Sequence, residues 1–325
     1  MRTVRNIHER ILDVPAAAVG ALIDRLSTPD DPVFPSPAWA PMAFDRPLQV
    51  GAAGGHGPVR YAVTAYEPGR RVRFGFAPPG DGFHEITVEP LDDGRCRLRH
   101  VLESRMGPAD RLMWALAIRR VHETVVEEVF DNAELVATGS IARPVRRTRL
   151  VRLLQRVESE KVIAAELPAG ARLARGAFAR PDFADSWQVA LRPGMPRDVE
   201  SWRGVLPFPV VASAGAELLL GRDAGHLDFR ASVLVEDERV TLSTVVRIHN
   251  VRGRLYFAVV RRFHARLVRR MLRRAWRRRA LEAPSAGERE LARAGAGSAA
   301  RTERGTSPVP TDAGERSPDR AGRSR

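Results

Sequence analysis

Gly221-Arg222-Asp223-Ala224-Gly225-His226-Leu227-Asp228-Phe229-Arg230, running on to Ile248-His249-Asn250 and an arginine-rich stretch, decides how this chain is read. With Glu236–Arg239 as a loop, Val235 pairs with Val240, Phe229 with Val246 and Leu227 with Ile248. A second loop at Asn250–Gly253 sets Ile248 beside Leu255 and Val246 beside Phe257. One face of these three strands is then almost wholly apolar. A one-residue slip would turn every such side chain to the wrong side, so the pattern supports the register. The stretch 261–279 follows as a helix, with Phe263, Leu267, Val268, Met271, Leu272 and Ala275 on its packing side and arginines over most of the rest. Strands followed at once by such a helix predict an antiparallel sheet gripping it.

The opposite face of the strands carries Asp228 across from Arg247, Arg247 across from Tyr256, and His226 facing His249, with Arg230 on the same side. The row can be a recognition site. It can equally be a cross-strand ion pair with an arginine stacked on a ring, contributing about 0.2–1 kcal/mol per pair. The structural role is the expected one, because the apolar face should line any cavity. His226-x-Asp228, with His249 and His264, offers the imidazole and carboxylate that suit zinc or iron. Spacing fixes no third ligand, so no metal and no cofactor is expected.

Glu217, Gly221, Asp223, His226 to Arg230, His249-Asn250, Gly253-Arg254, Tyr256 and Phe263-His264 resemble a bacterial family of unknown function. That family often follows short-chain-dehydrogenase-like domains and is itself helix-grip in character. The resemblance covers about residues 160–278. It departs near Ser201–Ala216, which is shorter, and it brings no nucleotide-binding partner domain, so no cofactor carries over.

The first half repeats the plan. Val4–Val14 reads as a strand, and Pro15 starts a helix through Leu26. Ser27–Pro58 is rich in Pro, Gly and Asp and is expected to be an irregular, mobile loop over a cavity mouth. Its glycines lack the spacing and context of a phosphate cradle. Alternating stretches follow at Val59–Tyr66, Arg71–Phe76, Phe83–Val88 and Arg95–Glu103. Trp114, Ile118, Val121, Val125, Val129, Ala133 and Val136 then recur at helical spacing. If Leu91-Asp92-Asp93 is the loop, Val88 pairs with Cys96, Ile86 with Leu98, and His84 faces His100 on the apolar side.

This order, the opening Ile11-Leu12-Asp13-Val14-Pro15-Ala16 and the hairpin stretch Phe83–Pro90 resemble the START-like superfamily, also called SRPBCC, over about residues 3–138. It includes polyketide cyclases, aromatic-ring hydroxylase subunits and lipid-transfer proteins. The resemblance implies a helix-grip fold around a largely apolar cavity. The fold class expected is therefore α+β: two tandem helix-grip domains, each a curved antiparallel sheet around a long C-terminal helix. The first spans 1–140 and the second 160–280, joined by a basic connector at 141–159. Residues 281–325, rich in Ser, Gly, Pro and mixed charge, are expected to be a disordered tail.

Composition bounds the function. The chain has 325 residues, 44% of them hydrophobic, a formal charge of +14 and one cysteine, Cys96. No internal disulfide is possible, which fits a reducing cytoplasm. No secretory signal is read at the N-terminus, and the expected location is cytoplasmic. Lys161 is the only lysine, so the charge reads as arginine-rich codon usage, and nucleic acid is disfavoured in the absence of a recognition motif. An anionic membrane surface is a possible partner for 261–279. Gly-x-Ser-x-Gly, phosphate-loop and His-Glu-x-x-His signatures are all missing.

The expected function is binding of a small hydrophobic molecule or lipid, with Tyr61, Phe74, Phe76, Phe229 and Phe257 as ligand-binding residues. The alternatives are a cyclase, dehydratase or isomerase acting on a polyketide-like substrate, and a non-catalytic regulatory or scaffold protein with an anionic partner. In the enzyme reading His84 and His100 move the proton, since histidine serves as acid or base near neutral pH. The expected role is the structural one, a pair of neutral, hydrogen-bonded core histidines.

Overall fold

The structure, a computed structural model, describes residues 1–155, 160–236 and 238–305. Strand β1 (Arg2–Leu12) passes through Pro15 into helix α1 (Ala16–Ile23). Short strands β2 (Ala43–Phe44) and β3 (Ala53–His56) precede β4 (Val59–Glu67), β5 (Arg71–Phe76), β6 (Gly82–Asp92) and β7 (Arg95–Met106). A long helical stretch closes this half: α2 (Pro108–Met113), a π turn at Trp114–Ile118, and α3 (Arg119–Thr138). The seven strands form one antiparallel sheet ordered β1-β7-β6-β5-β4-β3-β2. Alternate residues of β5, β6 and β7 are buried, among them Val72, Phe74, Ile86, Val88 and Leu98. They pack against Leu22 and Ile23 of α1 and Val126, Val129 and Phe130 of α3. A sheet with one apolar face must cover it, and here two helices do so.

Helix α4 (Arg149–Gln155) packs on α3, with Val151 in the first core, and the second half then begins with β8 (Ile163–Ala165), α5 (Arg172–Gly176) and β9 (Phe183–Ala190). A 3-10 turn at Glu200–Val205 leads to β10 (Val210–Ala214), β11 (Glu217–Asp223), β12 (Leu227–Glu236) and β13 (Arg239–Ile248). Helices α6 (Val251–Glu282) and α7 (Ala286–Gly305) follow. The second sheet is also antiparallel, ordered β10-β11-β12-β13-β9-β8. Val268, Leu272, Trp276 and Ala280 of α6 are buried against Leu218, Leu220, Val233 and Leu242. The chain is thus α+β with two antiparallel sheets. Among the described residues, no helix is long and apolar enough to cross a membrane.

The β12–β13 register is Leu227↔Ile248, Phe229↔Val246 and Val235↔Val240, as the alternation requires. The third strand expected at 254–259 does not exist, because α6 starts at Val251. Asn250 caps it: its side-chain oxygen accepts from the Gly253 N–H at 3.1 Å, and its amide donates to the Gly225 carbonyl at 3.0 Å. Gly253 is needed there, since a Cβ would overlap the His226 carbonyl oxygen. Leu255 therefore points outward, 67% exposed, rather than sitting beside Ile248. Phe263 and Leu267 are likewise exposed, not part of the packing side.

The β6–β7 register is corrected by two residues. Asp92 pairs with Arg95, with an irregularity between Pro90 and Asp92, so Val88 meets Leu98 and Ile86 meets His100. The turn is tighter than Leu91-Asp92-Asp93 allows. Because strand faces repeat every two residues, His84 and His100 stay on one face.

Ser27–Pro58 does lie against a cavity, but it holds strands β2 and β3 and packs into the core. It buries Val33, Phe34, Trp39, Met42, Leu48 and Ala52 in the first core.

The expected disorder from residue 281 is also corrected. Residue 281 lies in α6, and α7 docks on α3. Only 306–325 of the expected tail fall outside the described residues, as do 156–159 of the connector. Ser285 and Glu288 form a reciprocal cap at the start of α7, with the Ser285 N–H donating to Glu288 at 2.6 Å and the Glu288 N–H to the Ser285 hydroxyl at 3.2 Å. Ala286 is 2% exposed, and the Gly287 N–H donates to Asn132 Oδ1 at 3.3 Å. Arg25 pairs with Glu290 at 2.6 Å, and Arg293 with Asp30 at 2.8 Å. The Ser36 and Pro37 carbonyls accept from Arg289 and Arg192, tying the two halves together.

Candidate functional site

A cavity of about 470 Å³ lies between the apolar face of the first sheet and the α2–α3 stretch. The sheet contributes Phe76, His84, Ile86, His100 and Leu102. The helical stretch contributes Met113, Trp114, Val121, His122, Val125 and Val129. Phe34, Met42 and His56 close it from the 27–58 segment. Strand alternation aims the β6 and β7 residues inward. The π turn carries Trp114 onto the lining, a common use of such turns near sites. Asp81, Arg105 and Asp110 add charge to an otherwise apolar wall.

Histidine supplies most of the interior polarity. His84 and His100 have ring centroids 5.6 Å apart, and His100 and His122 are 5.1 Å apart. Tyr61 stands edge-on to His84 at 4.8 Å, and His56 lies 6.0 Å from Tyr61. At the other end His8 reaches His122 at 6.4 Å, while His8 Nδ1 lies 2.6 Å from Glu127. The rings form a row from β3 across the sheet to α3.

Burial decides their charge. It pushes His122 down to about 3, helped by His8 and His56. Burial, with the charge of Arg60, pushes His56 down to about 4. His84 and His100 are held well below the usual imidazole range, mainly by burial and then by neighbouring histidines. Burial also raises the Tyr61 phenol, keeping it protonated. At neutral pH each of these rings is uncharged, and each imidazole has one donor and one acceptor nitrogen. The Tyr61 hydroxyl and the Nδ1 atoms of His100 and His122 have no hydrogen-bond partner among the described residues. An unpaired buried polar atom is costly, about 1–3 kcal/mol, so a ligand's polar groups would gain by pairing with the two imidazole nitrogens, which belong to lining residues. The rings are spread along a row and do not converge: among the described residues no group of three His, Cys, Asp or Glu is placed to hold a metal ion.

The expected site residues do not all meet. His84, His100 and Phe76 line the cavity. Tyr61 and Phe74 lie behind the lining in the core, at 2% and 0% exposure. Phe229 and Phe257 are on the second half, against Phe208 at 4.7 Å and Phe183 at 5.0 Å. They belong to a separate apolar cluster and do not line this cavity.

The polar row assembles in part. Asp228 is across from Arg247, and its carboxylate pairs with His249 at 2.9 Å. Arg230 instead pairs with Asp223 at 2.6 Å. Tyr256 arrives from α6 and meets the edge of His226 at 5.2 Å, not Arg247 across a strand. Asp228 also accepts from the Ala224 N–H at 3.1 Å, so the row braces the turn between β11 and β12.

His122 and His56 are additions that the sequence reading lacks. His122 lies four residues after Ile118 and three before Val125, which puts it beside the helical stripe, but the stripe alone does not mark it as a lining residue. His56 lies in a glycine-rich stretch with no periodicity to place it.

Among solved structures, norcoclaurine synthase from Thalictrum flavum in complex with dopamine and hydroxybenzaldehyde is 12% identical, covering 44% of this chain and 90% of that one, with a TM-score of 0.35. CalU16 from Micromonospora echinospora is 13% identical, covering 47% and 82%, at 0.32. The Aha1 dimer from Colwellia psychrerythraea is 12% identical, covering 42% and 98%, at 0.31. At these scores the likenesses carry no argument about ligand or chemistry. No curated protein matches the chain in sequence. Residues 147–271, from the connector through most of α6, match the family described as "Protein of unknown function (DUF2867)".

Proposed function

We propose that the cavity of the first half binds a small hydrophobic molecule or lipid carrying at least one polar group. The carrying observation is the apolar cavity of about 470 Å³ with unpartnered imidazole nitrogens of His100 and His122 on its lining. Its volume falls within the usual range for small-molecule sites, and its few polar groups suit orientation more than affinity. In this reading residues 1–140 and 160–280 are two helix-grip domains, and the first holds the ligand. Small molecules released from natively purified protein are identified by mass spectrometry. A recurrent apolar species is expected, lost in Val125→Trp, which fills the cavity. Repeated recovery of nothing, or equal recovery from the filled variant, overturns the reading.

A second reading is an enzyme of the cyclase, dehydratase or isomerase kind. It is favoured by three neutral rings in succession, His84, His100 and His122, each offering one donor and one acceptor nitrogen with which to orient and polarise a substrate. With the extracted molecule as lead, turnover of His84→Gln, His100→Gln and His122→Gln tests it. Turnover unchanged in all three removes this mechanism.

A further inference from the structure

We propose that the N-terminal half of α6 docks on an anionic lipid bilayer surface. Val251, Leu255, Val259, Phe263 and Leu267 recur every fourth residue and are 62%, 67%, 61%, 59% and 55% exposed. They form one continuous apolar stripe on the helix, joined by Tyr256 at 53%. A second row, Phe257, Val268, Leu272 and Trp276, is buried and holds the helix to the protein. The outward stripe therefore has no role in packing among the described residues.

Charge identifies what covers it. Arg252, Arg254, Arg261, Arg262, Arg266 and Arg270 are exposed along the same stretch. No carboxylate side chain occurs from Val251 to Leu281. An apolar stripe interleaved with cations matches the boundary between acyl chains and anionic headgroups: the stripe enters, and the arginine stems extend to phosphate level. A second copy of this chain would bring two cationic faces together. Nucleic acid would satisfy the arginines and leave five apolar side chains in water. The segment 306–325 has Val309 as its single large apolar side chain, too little to cover the stripe. The stripe and the arginines run along one side of α6, so the helix axis lies along the surface.

The full chain is tested by co-sedimentation with vesicles of phosphatidylcholine alone and with about one third phosphatidylglycerol. Binding to the anionic vesicles only, weakening as salt rises, is expected. The triple variants Leu255→Ser/Val259→Ser/Phe263→Ser and Arg262→Gln/Arg266→Gln/Arg270→Gln should each lose about tenfold or more in partitioning. Their urea midpoints should stay at the parent value, because the altered side chains are exposed. Equal binding to both vesicle types, or to neither, overturns the proposal. So does self-association abolished by the apolar variant, or duplex-DNA binding that this variant leaves intact without any vesicle binding.

Discussion

The imidazoles of His100 and His122 lie 5.1 Å apart, one from β7 and one from α3, and the Nδ1 of each lacks a partner among the described residues. Both are held neutral by burial, as are His56 and His84. Unfolding returns each to an ordinary imidazole, so the unfolded chain binds more protons once pH falls below about 6.5. Stability is then full above that pH and is lost as pH falls toward the folded values, about 4 for His56 and about 3 for His122. The loss is roughly 1 kcal/mol per pH unit for each ring fully held this way. Urea unfolding between pH 7.5 and 5 should show this slope, and His100→Phe should lower it by one ring's share, roughly 1 kcal/mol per pH unit. A flat profile in the parent protein would contradict the burial of these rings.

Gly20 of α1 touches the Gly69 turn so closely that a Cβ on it would overlap the Gly69 carbonyl oxygen. The contact cannot open freely, because Asp24 accepts from the Gly69 N–H at 2.8 Å. Gly20→Ala should cost about 1–3 kcal/mol, read from the urea midpoint. No loss would mean that α1 shifts at no cost.

Arg10 of β1 reaches three carboxylates of α3: Asp131 at 2.7 Å, and Glu127 and Glu134 at 2.8 Å. Removing one partner of a largely buried charge cluster leaves the others uncompensated. Arg10→Met should therefore lose about 3–5 kcal/mol at neutral pH. Part of that should return at low pH, where the stranded carboxylates protonate. Urea midpoints at pH 7 and pH 4.5 read both effects.

Glu217 is 3% exposed and accepts from the Ser232 hydroxyl at 2.6 Å and from the Leu173 and Ala174 N–H groups at 2.7 and 3.0 Å. It joins β11, β12 and the start of α5. Glu217→Leu should cost about 1–3 kcal/mol for each donor left unpaired. Glu217→Gln should retain more stability, and hydrogen exchange at Leu173 and Ala174 locates the effect.

Gly287 sits on α3, with an added Cβ meeting Asn132 backbone and side-chain atoms at 3.1 Å. Gly287→Val should lift α7 from that surface. Limited proteolysis should then cut near Pro284 sooner than in the parent chain. Gly295→Ala is the control, because an added Cβ there meets nothing within 4 Å, and it should not hasten the cut.

The β12–β13 pair is legible in the sequence because Leu227, Phe229, Val246 and Ile248 alternate and one slip would turn them all to the other face. The start of α6 is not. Val251, Leu255 and Val259 are apolar yet exposed, and reasoning that sends apolar residues to a core draws them into a strand. Helix α7 escapes for the opposite reason. Its docking uses the small residues Ala286 and Gly287 and no apolar stripe, although Ser285 and Glu288 already spell its cap. In the candidate site, His84 and His100 keep their shared face despite a two-residue error, since the strand repeat forgives even shifts. His56 depends on how an irregular segment folds over the sheet, which no local pattern encodes. His122 needs the helix to be set against that sheet before its place beside the stripe says which way it faces.

The docking of α7 on α3 also sets an order of events during synthesis. Thr138 ends α3 and Ala286 begins α7. Roughly 150 residues separate them, about 7–30 s of translation at about 5–20 residues per second. Throughout that interval Asn132, Arg25 and Asp30 await contacts from a segment that has not yet left the ribosome. The first half of this protein is finished by a helix made long after it.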